Sequence, residues 1–111
     1  MYSVKITDTF ARETKKLAKK YRRIRKDFLP LLEKLEVGQL LGDAVSGFDN
    51  KIYKMRVPSS DQKKGKSGGF RVIYYIVLDE NEIVLLTIYA KAKQSDIKDN
   101  DIRNILKKID L

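Results

Sequence analysis

The chain has 111 residues, of which 24 are lysine or arginine and 15 are aspartate or glutamate, and its net charge at pH 7 is +9. It contains no cysteine and no histidine, which excludes disulfides, thiolate metal sites, a cysteine nucleophile and an imidazole base. The length suits one domain, and so strong a positive charge favours a polyanionic partner, nucleic acid above all. Because the sequence shows neither a signal-peptide pattern nor an apolar run long enough to cross a membrane, we expect a cytoplasmic protein without membrane contacts.

The first third of the chain predicts a short strand followed by two helices. Apolar and polar residues alternate at residues 3–6, and Asp8 or Thr9 is placed to cap the helix that follows. Apolar residues then recur at helical spacing as far as residue 35. Proline is tolerated in the first turn of a helix and not deep inside it. Pro30 therefore predicts a break after residue 21, with Asp27 as the cap of the second helix.

The second half of the chain predicts three strands and a last helix. Residues 51–57, 70–78 and 83–90 are rich in β-branched and aromatic side chains, and a polar turn at residues 79–82 separates the last two. Ser95 or Asp96 is placed to cap the final helix. The order β-α-α-β-β-β-α predicts a single α+β domain over residues 1–111. In this domain an antiparallel meander carries two N-terminal helices and one C-terminal helix on one side.

Basic residues form three groups along the chain. Residues 12–26 contain nine of them against one acid, Glu13, which is typical of a stripe that binds RNA backbone, of a surface for an acidic partner segment, or of a solvated helix face. The second group, at residues 51–71, and the third, at residues 91–93, fall on neighbouring strands of the predicted meander. We predict RNA or ribosome contacts for Lys15, Lys16, Lys19, Lys20, Arg22, Arg23, Lys54, Lys63, Lys64 and Lys93.

Several binding chemistries fit the sequence poorly. Gly65-Lys66-Ser67 matches the last three residues of a phosphate-binding P-loop motif, but Ser60 stands where that motif has its first glycine. The acids at residues 96–101 match no calcium loop and are explained by helix capping, so we predict no metal and no cofactor. What remains is a cationic site for phosphate chemistry, and the composition permits RNA cleavage without a metal. RNA supplies its own 2′-hydroxyl nucleophile, while arginine, lysine and tyrosine stabilise charge and move protons.

Four stretches of the sequence are similar to one known family. The segment at residues 65–75 reads Gly-Lys-Ser-Gly-Gly-Phe-Arg-Val-Ile-Tyr-Tyr, and it is accompanied by Ala18-Lys19-Lys20-Tyr21, Tyr53-Lys54-Met55-Arg56 and Tyr89-Ala90-Lys91. In matching order, these stretches resemble the RelE/HigB toxins of type II toxin–antitoxin systems, on their HigB2-like branch. The resemblance covers nearly the whole chain and implies a RelE/ParE-like fold, and an mRNA interferase that cuts messenger RNA in the ribosomal A site and inhibits translation. It also implies a cognate antitoxin with a helix-turn-helix domain, through which the complex reaches operator DNA.

The same resemblance implies a set of catalytic residues. Arg71 matches the central-strand arginine that contacts the scissile phosphate, and Arg56 matches a basic position on the preceding strand. Lys66 matches the lysine of the glycine-containing loop, and Tyr89 and Lys91 stand where the family has further catalytic groups. Two alternatives stay open. One is a ParE-like toxin of the same fold that poisons DNA gyrase, against which the basic set argues, and the other is an RNA-binding module without enzymatic activity.

Overall fold

The computed structural model of the chain describes residues 1–62 and 68–109. The elements of this part, in chain order, are β1 (Ser3–Ile6), α1 (Asp8–Ala18), α2 (Ile24–Glu36), β2 (Asp43–Ala44), β3 (Ile52–Val57), β4 (Phe70–Val77), β5 (Glu82–Ala90) and α3 (Asp99–Lys108). The predicted order is confirmed, and the short strand β2 is added within a segment predicted to be a loop. No helix in the described part of the chain is long and apolar enough to span a membrane.

The strands form one mixed sheet in the order β1-β5-β4-β3-β2. The predicted meander is confirmed, because β3 pairs antiparallel with β4 and β4 pairs antiparallel with β5. At one edge β1 runs parallel to β5, and their register ends at the pair Ile6 and Leu85. Beyond Leu85, no strand among the described residues pairs with the outer edge of β5.

Helices cover both faces of this sheet, so the prediction that they lie on one side is wrong. Phe10 of α1 and Leu35 of α2 pack in one core together with Val72 of β4. Ile102 of α3 belongs to a second core, on the opposite face, that contains Ile73 of β4. Successive residues of a strand point to opposite faces, and β4 is apolar at both positions. Each face of β4 therefore needs its own helical cover.

The first helix is capped by Thr7, not by Asp8 or Thr9 as predicted. The buried Thr7 hydroxyl accepts a hydrogen bond from the Phe10 amide at 3.0 Å and lies 2.8 Å from the Leu86 carbonyl oxygen, to which it donates. One side chain thus satisfies the start of α1 and ties it to the edge of β5. The neighbouring candidates lie one and two residues too far along the chain to serve both groups.

The second helix contains Pro30 in its interior. The predicted break between the two helices is confirmed, but α2 begins at Ile24, so the prediction of Asp27 as its cap is wrong. Pro30 removes the helical donor of the Lys26 carbonyl, and because both residues are exposed, water can replace that bond. The Asp27 carboxylate instead accepts a hydrogen bond from the Ser60 amide at 2.8 Å.

Candidate active site

A row of three polar side chains crosses the sheet on the face that carries α3. The strand register places Arg56 of β3 opposite Arg71 of β4, and Arg71 opposite Tyr89 of β5. Side chains directly opposite each other on neighbouring strands have Cβ atoms about 4.5–5.5 Å apart. Lys91 follows directly after β5, and its amide donates to the Gly69 carbonyl at 3.0 Å, which extends the pairing by one step. The sheet thus brings together four of the five residues predicted to be catalytic.

Arg71 is the buried cation of this row. Its residue is only 7% exposed, and its Nη1 atom donates to the carbonyls of Gly68 and Phe70, at 3.1 and 3.2 Å. Burial and then the charge of Arg56 lower the pKa of Arg71, although an arginine keeps its proton under all ordinary conditions. The site therefore holds a fixed guanidinium with a second cation beside it, an arrangement that a bound anion would stabilise.

Gly69 sets the geometry at the start of β4, two residues before Arg71. Its φ is +74°, and a Cβ atom at this position would lie 2.4 Å from the carbonyl oxygen of Val57. Only glycine fits both the left-handed conformation and this close approach. The glycine thereby lets β3, β4 and the end of β5 come together at the row of polar side chains.

Tyr89 is buried and holds its proton at neutral pH. Burial, and next the negative charge of Asp96, raise the pKa of Tyr89 to about 12, while the charge of Arg71 opposes this effect. The Tyr89 hydroxyl lies 3.5 Å from Oδ1 of Asp96, at the outer limit of a hydrogen bond. A protonated phenol beside a guanidinium can donate a proton to a developing negative charge.

Asp96 is part of this site and does not cap α3, so neither predicted cap of that helix is right. The helix begins at Asp99. Oδ1 of Asp96 accepts hydrogen bonds from the Ile97 amide at 2.8 Å and from Nζ of Lys54 at 3.1 Å. These bonds lower the pKa of Asp96, so the carboxylate is ionised at neutral pH. The sequence pattern missed this role because Lys54 and Tyr89, the side chains that Asp96 meets, lie on β3 and β5, and no local signal connects them with it.

Two depressions border the row of polar side chains. Lys54, Arg56, Arg71 and Lys91 line an open cleft of about 840 Å³. A groove of about 500 Å³ runs along the open edge of β5, and its lining includes Lys16, Lys20, Tyr89 and Lys93. Of the residues predicted to bind RNA, Lys54 therefore lies in the cleft, and Lys16, Lys20 and Lys93 lie in the groove.

The basic run at residues 12–26 lies mainly on the other side of the sheet, because α1 packs on the face opposite to α3. All six of its residues predicted to bind RNA are exposed, namely Lys15, Lys16, Lys19, Lys20, Arg22 and Arg23. Lys16 and Lys20 reach the groove at the edge of β5 and so connect this run with Tyr89. Lys63, Lys64 and the predicted catalytic Lys66 lie outside the described residues.

Comparisons with known proteins agree with this architecture. The chain is similar over nearly its full length to two structures of the E. coli toxin RelE. One is a double arginine-to-alanine mutant in the free state, with 18% identity, 99% of this chain and 98% of that chain covered, and a TM-score of 0.60. The other is the isolated toxin, with 17% identity, 98% and 99% covered, and a TM-score of 0.58. A metal-bound toxin from Helicobacter pylori is 18% identical over 85% of this chain and 99% of that one, with a TM-score of 0.50.

At these identities the structural likeness establishes the fold, which is RelE-like. The family is established by sequence, since residues 4–94 match the protein-family model described as "ParE toxin of type II toxin-antitoxin system, parDE". The chain therefore belongs to the ParE toxin family of type II toxin–antitoxin systems.

Proposed function

We propose that this protein is a ribosome-dependent mRNA endonuclease of the HigB2-like branch that acts in the cytoplasm and inhibits translation. The observation that carries the proposal is the row formed by Arg56, Arg71 and Tyr89. Both arginines line the same cleft as Lys54 and Lys91, and Tyr89 faces the adjoining groove. A fixed, buried guanidinium crowded by a second cation suits a phosphate, and a protonated phenol directly opposite it suits a leaving oxygen.

These residues meet the needs of RNA cleavage without a metal. The 2′-hydroxyl attacks the adjacent phosphorus and releases its proton to water, and the bond from phosphorus to the 5′-oxygen breaks. Arg71, assisted by Arg56, stabilises the additional negative charge on the phosphate oxygens. Tyr89 donates its proton to the leaving 5′-oxygen. The products are a 2′,3′-cyclic phosphate and a 5′-hydroxyl.

Binding and regulation follow from the charge and from the family. The exposed lysines of α1 and the lysines beside the cleft hold ribosomal and messenger RNA through their phosphates, which makes association sensitive to salt. A toxin of a type II system has a cognate antitoxin, and we propose that this one carries a helix-turn-helix domain that brings the complex to operator DNA.

The test is incubation of the purified protein with ribosomes programmed with a defined mRNA, and with the same mRNA alone. We expect cuts in the A-site codon that depend on the ribosome and leave 2′,3′-cyclic phosphate ends. Primer extension locates the cuts, and end-group analysis identifies the termini. Intact mRNA on ribosomes that demonstrably bind the folded protein would leave an RNA-binding module as the better interpretation.

The match to the ParE family model favours a second candidate, a toxin that poisons DNA gyrase. That role requires no cluster of cations for phosphate cleavage, so the row of arginines argues for the nuclease. A gyrase supercoiling assay separates the two candidates, because the nuclease leaves supercoiling unchanged. Inhibited supercoiling together with intact mRNA would establish the second candidate instead.

A further inference from the structure

We propose that Asp96 is a positioning residue of the candidate active site, whose carboxylate holds the Tyr89 hydroxyl and the Lys54 ammonium together beside Arg71. The inference rests on the proposed function and deepens it, since it assigns a role to an acid at a site otherwise built from cations.

A single oxygen atom makes the three contacts. Oδ1 of Asp96 lies 3.1 Å from Nζ of Lys54, 2.8 Å from the amide nitrogen of Ile97 and 3.5 Å from the Tyr89 hydroxyl. Lys54 is on β3 and Tyr89 is on β5, with β4 between them. The carboxylate therefore spans the central strand diagonally, next to the position at which Arg71 faces Tyr89.

The loop at residues 91–98 holds this carboxylate in place. The Gln94 side-chain amide donates to the backbone carbonyl of Asp96 at 2.9 Å, and the Lys91 ammonium donates to the carbonyl of Ser95. The bond from the Ile97 amide fixes the side chain itself. Asp96 is thus anchored through its own backbone and both neighbours, although its side chain is 64% exposed.

This placement has two chemical consequences. The negative charge of Asp96 favours the protonated form of Tyr89, and the 3.5 Å contact is long enough to leave the proton available to a nearer acceptor. The ion pair also directs the flexible Lys54 side chain across the sheet toward the row, where a point charge is of use to a phosphate. A competing interpretation is that Asp96 occupies the place of an RNA phosphate and must be displaced, and it predicts effects of the opposite sign.

The substitution that tests the role is Asp96→Asn, which keeps the shape and the acceptor for the Ile97 amide but removes the charge. In single-turnover cleavage on programmed ribosomes, we expect the rate to fall on the order of 10- to 100-fold, as for a misplaced catalytic group, with ribosome affinity nearly unchanged. Asp99→Asn is the matched control, because it removes the same charge from the exposed first turn of α3 and should cut at the wild-type rate.

A second measurement does not depend on activity. In protein labelled with ¹³C at the tyrosine ring carbon that carries the hydroxyl, the Tyr89 signal is assigned from a Tyr89→Phe variant. It is then titrated at alkaline pH values at which circular dichroism shows every variant folded. Asp96→Asn should begin to lose the Tyr89 proton at lower pH than wild type, whereas Asp99→Asn should not.

Three results would overturn the inference. These are cleavage by Asp96→Asn at the wild-type rate, tighter ribosome binding with faster cleavage, and an unchanged Tyr89 titration. If the wild-type protein cuts no RNA at all, the proposed function fails. In that case the titration still decides whether Asp96 acts on the Tyr89 phenol.

Discussion

Removal of the Arg71 guanidinium should slow RNA cleavage far more than it weakens RNA binding. The group is held by the carbonyls of Gly68 and Phe70 before any substrate arrives, so it needs little reorganisation to meet a phosphate. Loss of one preorganised donor of this kind costs about 10²- to 10³-fold in rate, or about 2.7–4 kcal/mol. Ribosome affinity should fall by less than about tenfold, because other cations of the protein still contact phosphates.

Two substitutions separate charge from geometry. Arg71→Lys should recover only part of the activity, because a single ammonium cannot replace a planar, forked donor. Arg71→Ala leaves the carbonyls of Gly68 and Phe70 without this donor, at a cost of about 1–3 kcal/mol in stability, and removes its repulsion with Arg56. The net change in stability should therefore be small enough for the variant to fold.

The assay is single-turnover cleavage of a defined mRNA on programmed ribosomes, with circular dichroism of each variant. Arg103→Ala is the matched control, because this exposed arginine lies on α3 with its guanidinium 4.6 Å from the ring centre of Phe48. It should cut at the wild-type rate. A folded Arg71→Ala variant that also cuts at the wild-type rate would remove Arg71 from the chemistry. An equal loss of binding and cleavage would make it a binding residue.

Three further predictions concern association and stability. The first variant replaces four exposed lysines of α1 and the residues just after it with glutamine, namely Lys15, Lys16, Lys19 and Lys20. The magnitude of the slope of log affinity for ribosomes against log salt concentration should fall by up to about 3. An unchanged slope would assign this surface another role. Burial raises the pKa of both Tyr74 and Tyr89 to about 12. The two protonated phenols therefore contribute their full stabilisation below about pH 10. This stabilisation is lost between about pH 10 and 12, because the tyrosines of the unfolded chain lose their protons at lower pH than those of the folded protein. Between about pH 10 and 12, the free energy of unfolding measured by urea titration should fall by up to about 2 kcal/mol less in Tyr89→Phe than in the wild-type protein. An equal fall in the two proteins would contradict the burial argument. Gly69→Ala places a Cβ atom 2.4 Å from the Val57 oxygen at a positive φ, so it should destabilise the fold by about 1–3 kcal/mol and lower the urea midpoint of unfolding. Gly47→Ala is the matched control, because its φ is also positive but its Cβ has open space around it, and its urea midpoint should be higher than that of Gly69→Ala.

The secondary structure and its order could be predicted from the sequence because their causes are local. Strand ends fell within a residue of the predicted ones, as for β3, predicted at residues 51–57 and observed at Ile52–Val57. Alternation, helical spacing and polar turns act over a few residues and persist in any arrangement of the elements. Helix starts were predicted less well, because several capping residues compete and the outcome depends on what else each can bond. Thr7 caps α1 because its hydroxyl also meets the edge of β5.

The candidate site could be predicted in part for a related reason. In an antiparallel pair, the last residues of one strand lie beside the first residues of the next. Arg56 is near the end of β3 and Arg71 is near the start of β4, so their grouping follows from the chain order. The role of Asp96 could not be predicted, because Lys54 is 42 residues away and the contact requires both the register of β3 and the path of the loop after β5. The separation of the basic run from the row likewise depends on the face on which α1 packs.

By itself, the sequence determined the composition, the order of the elements and the antiparallel meander, since each depends on short-range patterning. The tertiary structure alone decided that α3 covers the face opposite to α1 and α2, and that β1 joins the edge of β5 in parallel. It also decided that Asp96 meets the row of polar side chains. The physical reason is that a strand such as β4 with two apolar faces can be covered from either side, so the choice is made by the burial of the whole chain and not by any one segment.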